Sequence, residues 1–208
     1  MDNKALLEGL ALKIRTCNLC PLYKGTTNAV PGDGDPNAKL FFIGEGPGYY
    51  EDQSGRPFVG RAGKLLEQTL NKVGLKREEV FIGNVVKHRP VENRDPLPAE
   101  ILACKGWLEQ QLAIIRPKVV VTLGRFSMAH FLKNVMISQV HGQPRKVRDY
   151  IVLPMYHPAA ALRGNTMLAA FETDFLKNKE LLDNPEAFLE KFSDSEKADS
   201  SDQVKLFN

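Results

Sequence analysis

Four short runs of apolar residues are spaced along the chain. They are KLFFIG (39–44), VFIGNVV (80–86), KVVVTLG (118–124) and YIVLPMY (150–156). Continuous runs of this length, rich in Val, Ile, Leu and Phe, indicate strands that are buried on both faces. The pattern therefore predicts a central sheet that is covered on both sides.

Segments with a helical period lie before and between these predicted strands. Mostly apolar residues recur every three or four positions in three sets: Leu7, Leu10, Ala11 and Ile14; Leu65, Leu66, Thr69, Leu70 and Val73; Ile101, Cys104, Leu108, Leu112 and Ile115. This spacing places each set on one face of a helix, and Pro98 suits the first turn of the third helix. Strands that alternate with helices predict an α/β fold with a parallel sheet.

The segments that follow three of the predicted strands are polar and rich in glycine or proline. GEGPG follows the first strand, the second ends in NVVKHRP, and YHPAAALRG follows the fourth. In open parallel sheets, ligands bind at the carboxyl ends of the strands. We therefore expect these three segments to meet at one crevice.

The charge of the chain is unevenly distributed. The net charge is +3, but residues 180–208 carry eight acidic and three basic residues, so residues 1–179 carry +8. A basic body indicates a polyanionic partner such as nucleic acid, although ordinary solvated lysines would give the same count. The N-terminus has no secretory signal pattern and no apolar run is long enough to cross a membrane, so we expect a cytoplasmic protein.

The chain has three cysteines, and two of them form the pair Cys17-x2-Cys20. Cys104 lies on the inner face of a predicted helix, and His88 lies just beyond the second predicted strand. Three cysteines and one histidine are a familiar ligand set for zinc, and these residues alone favour zinc. Buried free cysteines are the alternative interpretation.

Taken together, these segments resemble a known family. The Cys-x2-Cys pair, GEGPG, SGRPFVGRAGKLLEQTL, NVVKHRPVENRDPLPAEILACKGWL and HPAAALR are similar in order and spacing to family 4 uracil-DNA glycosylases over roughly residues 10–180. The resemblance implies a three-layer α/β/α sandwich with a central four-stranded parallel sheet, in a domain of residues 1–184. It also implies hydrolytic removal of uracil from single- or double-stranded DNA by a monomer. A non-catalytic DNA-binding metalloprotein of the same fold is the alternative.

The resemblance assigns residues to the chemistry of base removal. Glu45 would orient water and offset the positive charge that develops on the sugar, and His157 would donate a hydrogen bond to uracil O2. Phe58 would stack on the base, Asn84 would read its polar edge, and Glu51 would exclude the 5-methyl group of thymine, with Tyr49 or Tyr50 as rivals. The backbone at Gly44 and Gly46 would approach the base closely. From the residues alone, a core phenylalanine and a turn-closing asparagine remain open alternatives.

The resemblance also assigns residues to DNA and to a metal. Leu162 would act as an apolar wedge in the minor groove, and phosphate contacts are expected from four cations: Arg61, Lys87, Arg89 and Arg163. Cys17, Cys20 and Cys104 would hold a 4Fe-4S cluster, for which zinc is the less favoured alternative. His88 stands where the family has the remaining cysteine ligand.

The acidic segment 185–208 is expected to be a flexible tail. Its last residues, DQVKLFN, include Gln203, Leu206 and Phe207, which resemble the peptide that docks bacterial replication and repair proteins on the sliding clamp. Two apolar residues at the end of a polar linker have no core to join, so we expect them to anchor the chain to such a partner.

Overall fold

This computed structural model describes residues 2–190, in which six strands form one sheet in the order β1-β3-β2-β4-β6-β5. The strands are β1 (Asp33–Gly34), β2 (Leu40–Gly44), β3 (Phe81–Asn84), β4 (Val119–Leu123), β5 (Arg145–Val147) and β6 (Tyr150–Met155). The inner four, β3-β2-β4-β6, are parallel. They correspond to the four predicted strands, and their residues are buried almost throughout because both faces of the sheet are covered.

The two edge strands were not predicted. β1 pairs antiparallel with β3, and β5 pairs antiparallel with β6. They contain only two and three residues, DG and RKV, and are at most half-buried. Such short polar segments carry no strand pattern of their own, so the sheet has two more strands than the four predicted.

Helices cover both faces of the sheet. They are α1 (Asn3–Arg15), α2 (Tyr49–Ser54), α3 (Arg61–Lys72), α4 (Pro98–Ile115), α5 (Arg125–Phe131), α6 (Ile137–Val140), α7 (Pro158–Ala161), α8 (Asn165–Lys177) and α9 (Lys179–Asp183). Phe41 and Ile43 of β2 pack with α1 and α4, whereas Phe42 packs with α3, α8 and α9 on the opposite face. This alternation produces the predicted α/β/α sandwich.

The order of the strands fixes where a ligand can bind. From β2 the chain passes to β3 on one side, and from β3 it crosses to β4 on the other side of β2. Such a reversal leaves a crevice at the carboxyl ends of the neighbouring strands. Glu45 and Gly124, which follow β2 and β4, lie at this crevice.

The folded part of the chain continues beyond the predicted boundary at residue 184. Residues 185–190 are helical, Phe188 and Leu189 pack against the core, and Lys39 forms an ion pair with Glu186 at 2.9 Å. The clamp-like residues Gln203, Leu206 and Phe207 lie outside the described residues. Among residues 2–190, no helix has both the length and the apolar character that crossing a membrane requires.

Candidate active site

The loops that follow β2, β3 and β6 line a cavity of about 390 Å³, a size that suits a small ligand. Seven predicted site residues contribute to its wall: Glu45, Gly46, Glu51, Phe58, Asn84, His157 and Arg163. The expectation that the strand-end segments meet at one crevice is therefore fulfilled for these residues.

Phe58 forms an aromatic wall of the cavity. Its side chain is buried, and its ring lies 5.7 Å from the His157 ring, centroid to centroid, with 28° between the planes. The backbone of Phe58 has a φ of 51°, which is uncommon for a bulky residue and needs support from its surroundings. Phe58 therefore belongs both to the core on this side of the sheet and to the cavity wall.

Glu51 supplies part of that support. Its Oε1 accepts hydrogen bonds from the backbone N–H groups of Val59 and Gly60, both at 2.9 Å, and its Oε2 accepts one from Gly48 at 3.2 Å. One carboxylate thus ties the loop after Phe58 to the first turn of α2.

Arg77 holds the same loop from the other side. Its guanidinium donates to the carbonyl oxygens of Pro57 at 2.5 Å and Phe58 at 3.2 Å. Burial lowers the pKa of Arg77, while the nearby Asp33 acts in the opposite direction. Because Arg77 is a planar double donor, two neighbouring carbonyls are fixed together.

Two glycines allow Phe58 to approach the rest of the wall. A Cβ on Gly44 would lie 2.6 Å from Phe58 Cζ and closer still to Asn84 Oδ1. A Cβ on Gly63 would lie 2.8 Å from Phe58 Cα and closer still to its carbonyl group. The Phe58 ring and the Asn84 amide therefore occupy space that any larger residue at these positions would take.

Asn84 ends β3 with its side chain almost fully buried. Its Oδ1 makes no hydrogen bond within the protein, although Asn84 lines the cavity. A buried polar atom without a partner costs about 1–3 kcal/mol, so such atoms are rare outside functional sites. Asn84 Oδ1 is therefore an unused acceptor on a residue of the cavity wall.

His157 is the N-cap of α7, and its Nδ1 accepts a hydrogen bond from the Ala159 N–H at 3.1 Å. In the neutral ring the proton is therefore on Nε2. Burial, assisted by the charge of Arg163, lowers the pKa of His157 to about 4. At neutral pH the imidazole is an uncharged donor.

Glu45 lies at the crevice between β2 and β4. Burial is the largest influence on the pKa of its carboxyl group and raises this pKa. The N–H of Phe126 donates a hydrogen bond to Oε1 at 3.4 Å, which lowers the pKa. The charge of Asp95 raises the pKa, and the charge of Arg125 lowers it. Asp95 and Arg125 form an ion pair with each other beside this carboxylate. Glu45 is thus a partly desolvated carboxylate between two opposite charges.

The loop after β3 contributes residues that the sequence did not single out. Asn93, Arg94 and Asp95 line the cavity, and Asn93 has a left-handed φ of 55°. Arg94 is anchored by two hydrogen bonds to Glu100, at 2.6 and 2.9 Å. These residues lie shortly after NVVKHRP, the segment at the end of β3 that was expected to border the crevice. Their place in the chain after this strand could have identified them as candidates.

The structure contradicts the predicted phosphate contact of Lys87. Its side chain is fully buried, and Nζ donates to the Asn84 carbonyl oxygen at 2.8 Å and to Gln111 Oε1 at 2.7 Å. Burial lowers the pKa of Lys87 to about 8. Two internal acceptors hold the ammonium group, which therefore supports the end of β3 and does not reach DNA.

The other predicted DNA contacts lie at or near the surface. Arg61, Leu162 and Arg163 are exposed and Arg89 is half-buried. Tyr49 and Tyr50, the alternative candidates for excluding thymine, are also exposed and do not line the cavity. Glu51, the first candidate for that role, does line it.

The predicted metal ligands Cys17, Cys20, Cys104 and His88 are all buried. Burial raises the pKa of Cys104 to about 11, and the charges of Cys20 and Cys17 act in the same direction, so the three thiols are neighbours. In residues 2–190, no group of three or more His, Cys, Asp or Glu side chains is arranged to hold a metal ion.

The chemistry of these four residues nevertheless fits a metal centre. Trp107 Nε1–H donates to Cys17 Sγ at 3.3 Å, and the Lys87 N–H donates to the Cys104 thiol. Hydrogen bonds of this kind support metal-bound sulfur. His88 Nδ1 is buried and makes no hydrogen bond, so this member of the predicted ligand set has an unused ring nitrogen.

Comparisons with known proteins agree with this geometry. Residues 31–184 match the family model described as the Uracil DNA glycosylase superfamily. A Type-4 uracil-DNA glycosylase of Sulfurisphaera tokodaii is 45% identical over 192 residues, 88% of this chain and 87% of the relative. The enzyme of that name from Saccharolobus solfataricus is 45% identical over 202 residues, which cover 92% of each chain. The one from Thermotoga maritima is 43% identical over 167 residues, which cover 77% of this chain and 85% of the relative. The resemblance seen in the sequence is confirmed, and this chain belongs to the uracil-DNA glycosylase superfamily.

Proposed function

We propose that this chain is a uracil-DNA glycosylase, which hydrolyses the N-glycosidic bond of uracil in DNA and leaves an abasic site. The observation that carries the proposal is the convergence of Glu45, Phe58, Asn84 and His157 on one cavity. An everted pyrimidine needs a flat surface, a partner for its polar edge and groups that stabilise the charges of bond cleavage. The cavity offers an aromatic wall, an unpartnered amide, a neutral imidazole and a desolvated carboxylate. Uracil must leave the base stack to reach such a cavity.

Asn84 distinguishes uracil from cytosine. Its Nδ2 donates to uracil O4 and its Oδ1, which has no partner in the protein, accepts from N3–H. Cytosine has an amino group and an unprotonated nitrogen at these two positions, so each hydrogen bond would be lost. Lys87 donates to the Asn84 carbonyl oxygen and holds this end of β3 in place.

His157 and Glu45 act on the two products of bond cleavage. As the C1′–N1 bond breaks, its electron pair moves onto uracil, and the Nε2–H of neutral His157 stabilises the negative charge at O2. Water forms the new bond to C1′, and the proton that it loses ends on the released uracil after passing through solvent. The carboxylate of Glu45 orients this water and offsets the positive charge of the sugar.

Glu51 lines the cavity while three backbone N–H groups fix its carboxylate. We therefore assign it two tasks, which are to hold the Phe58 loop and to occupy the space that a 5-methyl group would need. At the DNA surface, Leu162 is 40% exposed whereas Ala161 is buried, so Leu162 is the residue available as a wedge.

The decisive experiment measures uracil release from a single-stranded oligonucleotide, followed by alkaline cleavage at the abasic site. Wild type should give a shortened product, whereas Asn84→Ala should lose most excision and stay folded, because Oδ1 makes no hydrogen bond in the protein. The matched control is Asn71→Ala at an exposed position of α3, which should excise normally. A wild type that binds the oligonucleotide but yields no shortened product would instead be the non-catalytic alternative.

We further propose that Cys17, Cys20 and Cys104 hold a 4Fe-4S cluster, with the unpartnered Nδ1 of His88 completing the set. Such a cluster would connect α1 and its following loop to α4 and β3, and its role would be structural. The purified protein should absorb broadly in the visible range and contain iron. A colourless protein that contains zinc would refute the cluster, and Cys104→Ser should remove whichever metal is bound.

The C-terminal peptide carries a separate proposal. We propose that Gln203, Leu206 and Phe207 dock the enzyme on a sliding clamp. Deletion of residues 201–208 should leave excision from a free oligonucleotide unchanged and abolish clamp binding. Clamp affinity that survives the deletion would refute the idea.

A further inference from the structure

Two tyrosines expose their rings beside the cavity. Tyr49 and Tyr50, the first two residues of α2, are 53% and 61% exposed, and their rings meet edge to face at 5.5 Å. α2 begins directly after Gly48, which lines the cavity. An exposed pair of aromatic rings next to a cavity has apolar area available for a partner.

Arg89 adds a fixed cation to this pair. Its guanidinium carbon lies 5.2 Å from the centre of the Tyr49 ring, and its Nε–H donates to Asn93 Oδ1 at 2.7 Å. Asn93 itself lines the cavity. The cation is therefore held at the rim, between the aromatic pair and the cavity.

Tyr50 is also held in position. A Cβ on Gly60 would lie 3.3 Å from Tyr50 Cδ2, so the ring rests against the loop that carries Phe58. That loop is tied to α2 by Glu51. The two rings and Arg89 thus form one continuous rim with the cavity wall.

We propose that Tyr49, Tyr50 and Arg89 form a stacking platform for an unpaired base adjacent to the everted uracil on the same strand. This inference rests on the proposed function. Every base has a flat face on which an aromatic ring can stack, whatever its sequence, and a nearby arginine can contact the phosphate backbone. Arg163 is also exposed and lines the cavity, so a second cation is available to the phosphate backbone of a bound strand.

The platform predicts a preference for flanking bases that are free to stack. In duplex DNA the neighbouring bases are paired and stacked, so the platform engages a neighbour most readily in single-stranded substrate. Removing the rings should therefore weaken single-stranded substrate binding and leave the chemistry in the cavity unchanged.

The experiment compares two single-stranded oligonucleotides that contain one uracil. In the first, ordinary bases flank the uracil, and in the second, abasic spacers replace both neighbours. The double variant Tyr49→Ala/Tyr50→Ala should raise KM on the first substrate by about 5-fold to 100-fold, with kcat little changed. On the second substrate the variant and wild type should have the same KM, because no neighbouring base is present to stack.

Two further variants separate stacking from other effects. Tyr49→Phe/Tyr50→Phe keeps the rings and should behave like wild type. Tyr23→Ala is the matched control, because Tyr23 is 41% exposed and has Lys24 5.9 Å from its ring centre. Two results would overturn the platform. One is an equal rise in KM on both substrates for the alanine double variant, and the other is a rise no larger than that of Tyr23→Ala.

Failure of the proposed function would look different. If wild type releases no uracil from either substrate, the glycosylase assignment fails. The platform is then tested by direct binding of both oligonucleotides to wild type and to the alanine double variant. Equal affinities of the two proteins for the first oligonucleotide would reject it and leave a protein-docking role for the rings.

Discussion

Replacing Gly63 with alanine should disable the site while the chain remains folded. Gly63 lies in the first turn of α3 and packs against the backbone of Phe58. A Cβ at this position would lie 2.8 Å from Phe58 Cα and closer still to its carbonyl group, whereas ordinary contact begins near 3.4 Å. Backbone atoms cannot rotate away as the end of a side chain can, so the loop or the helix must move.

The size of that movement sets the expected effect. The Cα alone lies about 0.6 Å too close, and the carbonyl group requires more, so the total displacement is on the order of 1 Å. The loop cannot follow freely because Arg77 and Glu51 clamp it from both sides. A misplacement of about 1 Å in a catalytic site costs roughly 100-fold in rate. Overpacking should also cost about 1–3 kcal/mol in the free energy of unfolding.

Single-turnover excision of uracil and urea unfolding measure the two effects separately. The matched control is Gly9→Ala, an exposed helical glycine with no atom within 4 Å of its added Cβ. This control should excise at the wild-type rate and gain about 0.5–1 kcal/mol of stability. Wild-type excision by Gly63→Ala would show that the position of Phe58 does not depend on this glycine.

Two further predictions concern pH. Burial and Asp95 raise the pKa of Glu45, so excision that needs its carboxylate should decline on the acid side at a higher pH than an ordinary glutamate would give. Asp95→Asn should move this limb of the kcat/KM profile to lower pH and Arg125→Gln to higher pH; a limb that neither variant moves belongs to another group. The pKa of His157 is lowered to about 4, mainly by burial and also by Arg163, whereas an unfolded histidine titrates near 6.5. Protonation therefore favours unfolding: the stability linked to a neutral His157 is complete above about pH 6.5 and is lost as pH falls towards 4. His157→Gln should unfold in urea with less dependence on pH across this window, and an unchanged dependence would assign the acid sensitivity elsewhere.

The inner sheet could be predicted because its strands are continuous apolar runs, which few other structures produce. The edge strands could not, because Asp33–Gly34 and Arg145–Val147 become strands only by pairing with β3 and β6. Residues 185–190 were assigned to the tail on composition, yet Phe188 and Leu189 pack against the core. In each case a contact distant in sequence decides the local structure.

The same reasoning explains which site residues were predicted. Asn84 and His157 end or follow strands, and a residue at the carboxyl end of a parallel strand has few places to point other than the crevice. Lys87 lies only three residues beyond Asn84, but the chain turns there and the side chain enters the core, where Gln111 accepts its hydrogen bond. Sequence position near the crevice therefore does not reveal which way a long side chain points. Asp95 was missed although it lines the cavity, because it lies farther along the chain from β3. Its loop returns to the cavity only after a turn that contains residues with left-handed φ angles.

The distribution of unpartnered polar atoms bears on the base selectivity that the proposed function requires. Within residues 2–190, three buried side-chain atoms lack a hydrogen bond, and Asn84 is the residue among these three that lines the cavity. The fold leaves this acceptor without a hydrogen bond, and under the proposed function uracil N3–H would supply one. A site built to hydrogen-bond its substrate rejects a mismatched analogue by about 10⁴ to 10⁵, whereas exclusion by space alone gives roughly 10². Under the roles proposed for Asn84 and Glu51, rejection of cytosine would rest on the Asn84 amide and rejection of thymine on the space that Glu51 occupies. Cytosine, the abundant normal base most similar to uracil in size, would then meet the stronger barrier.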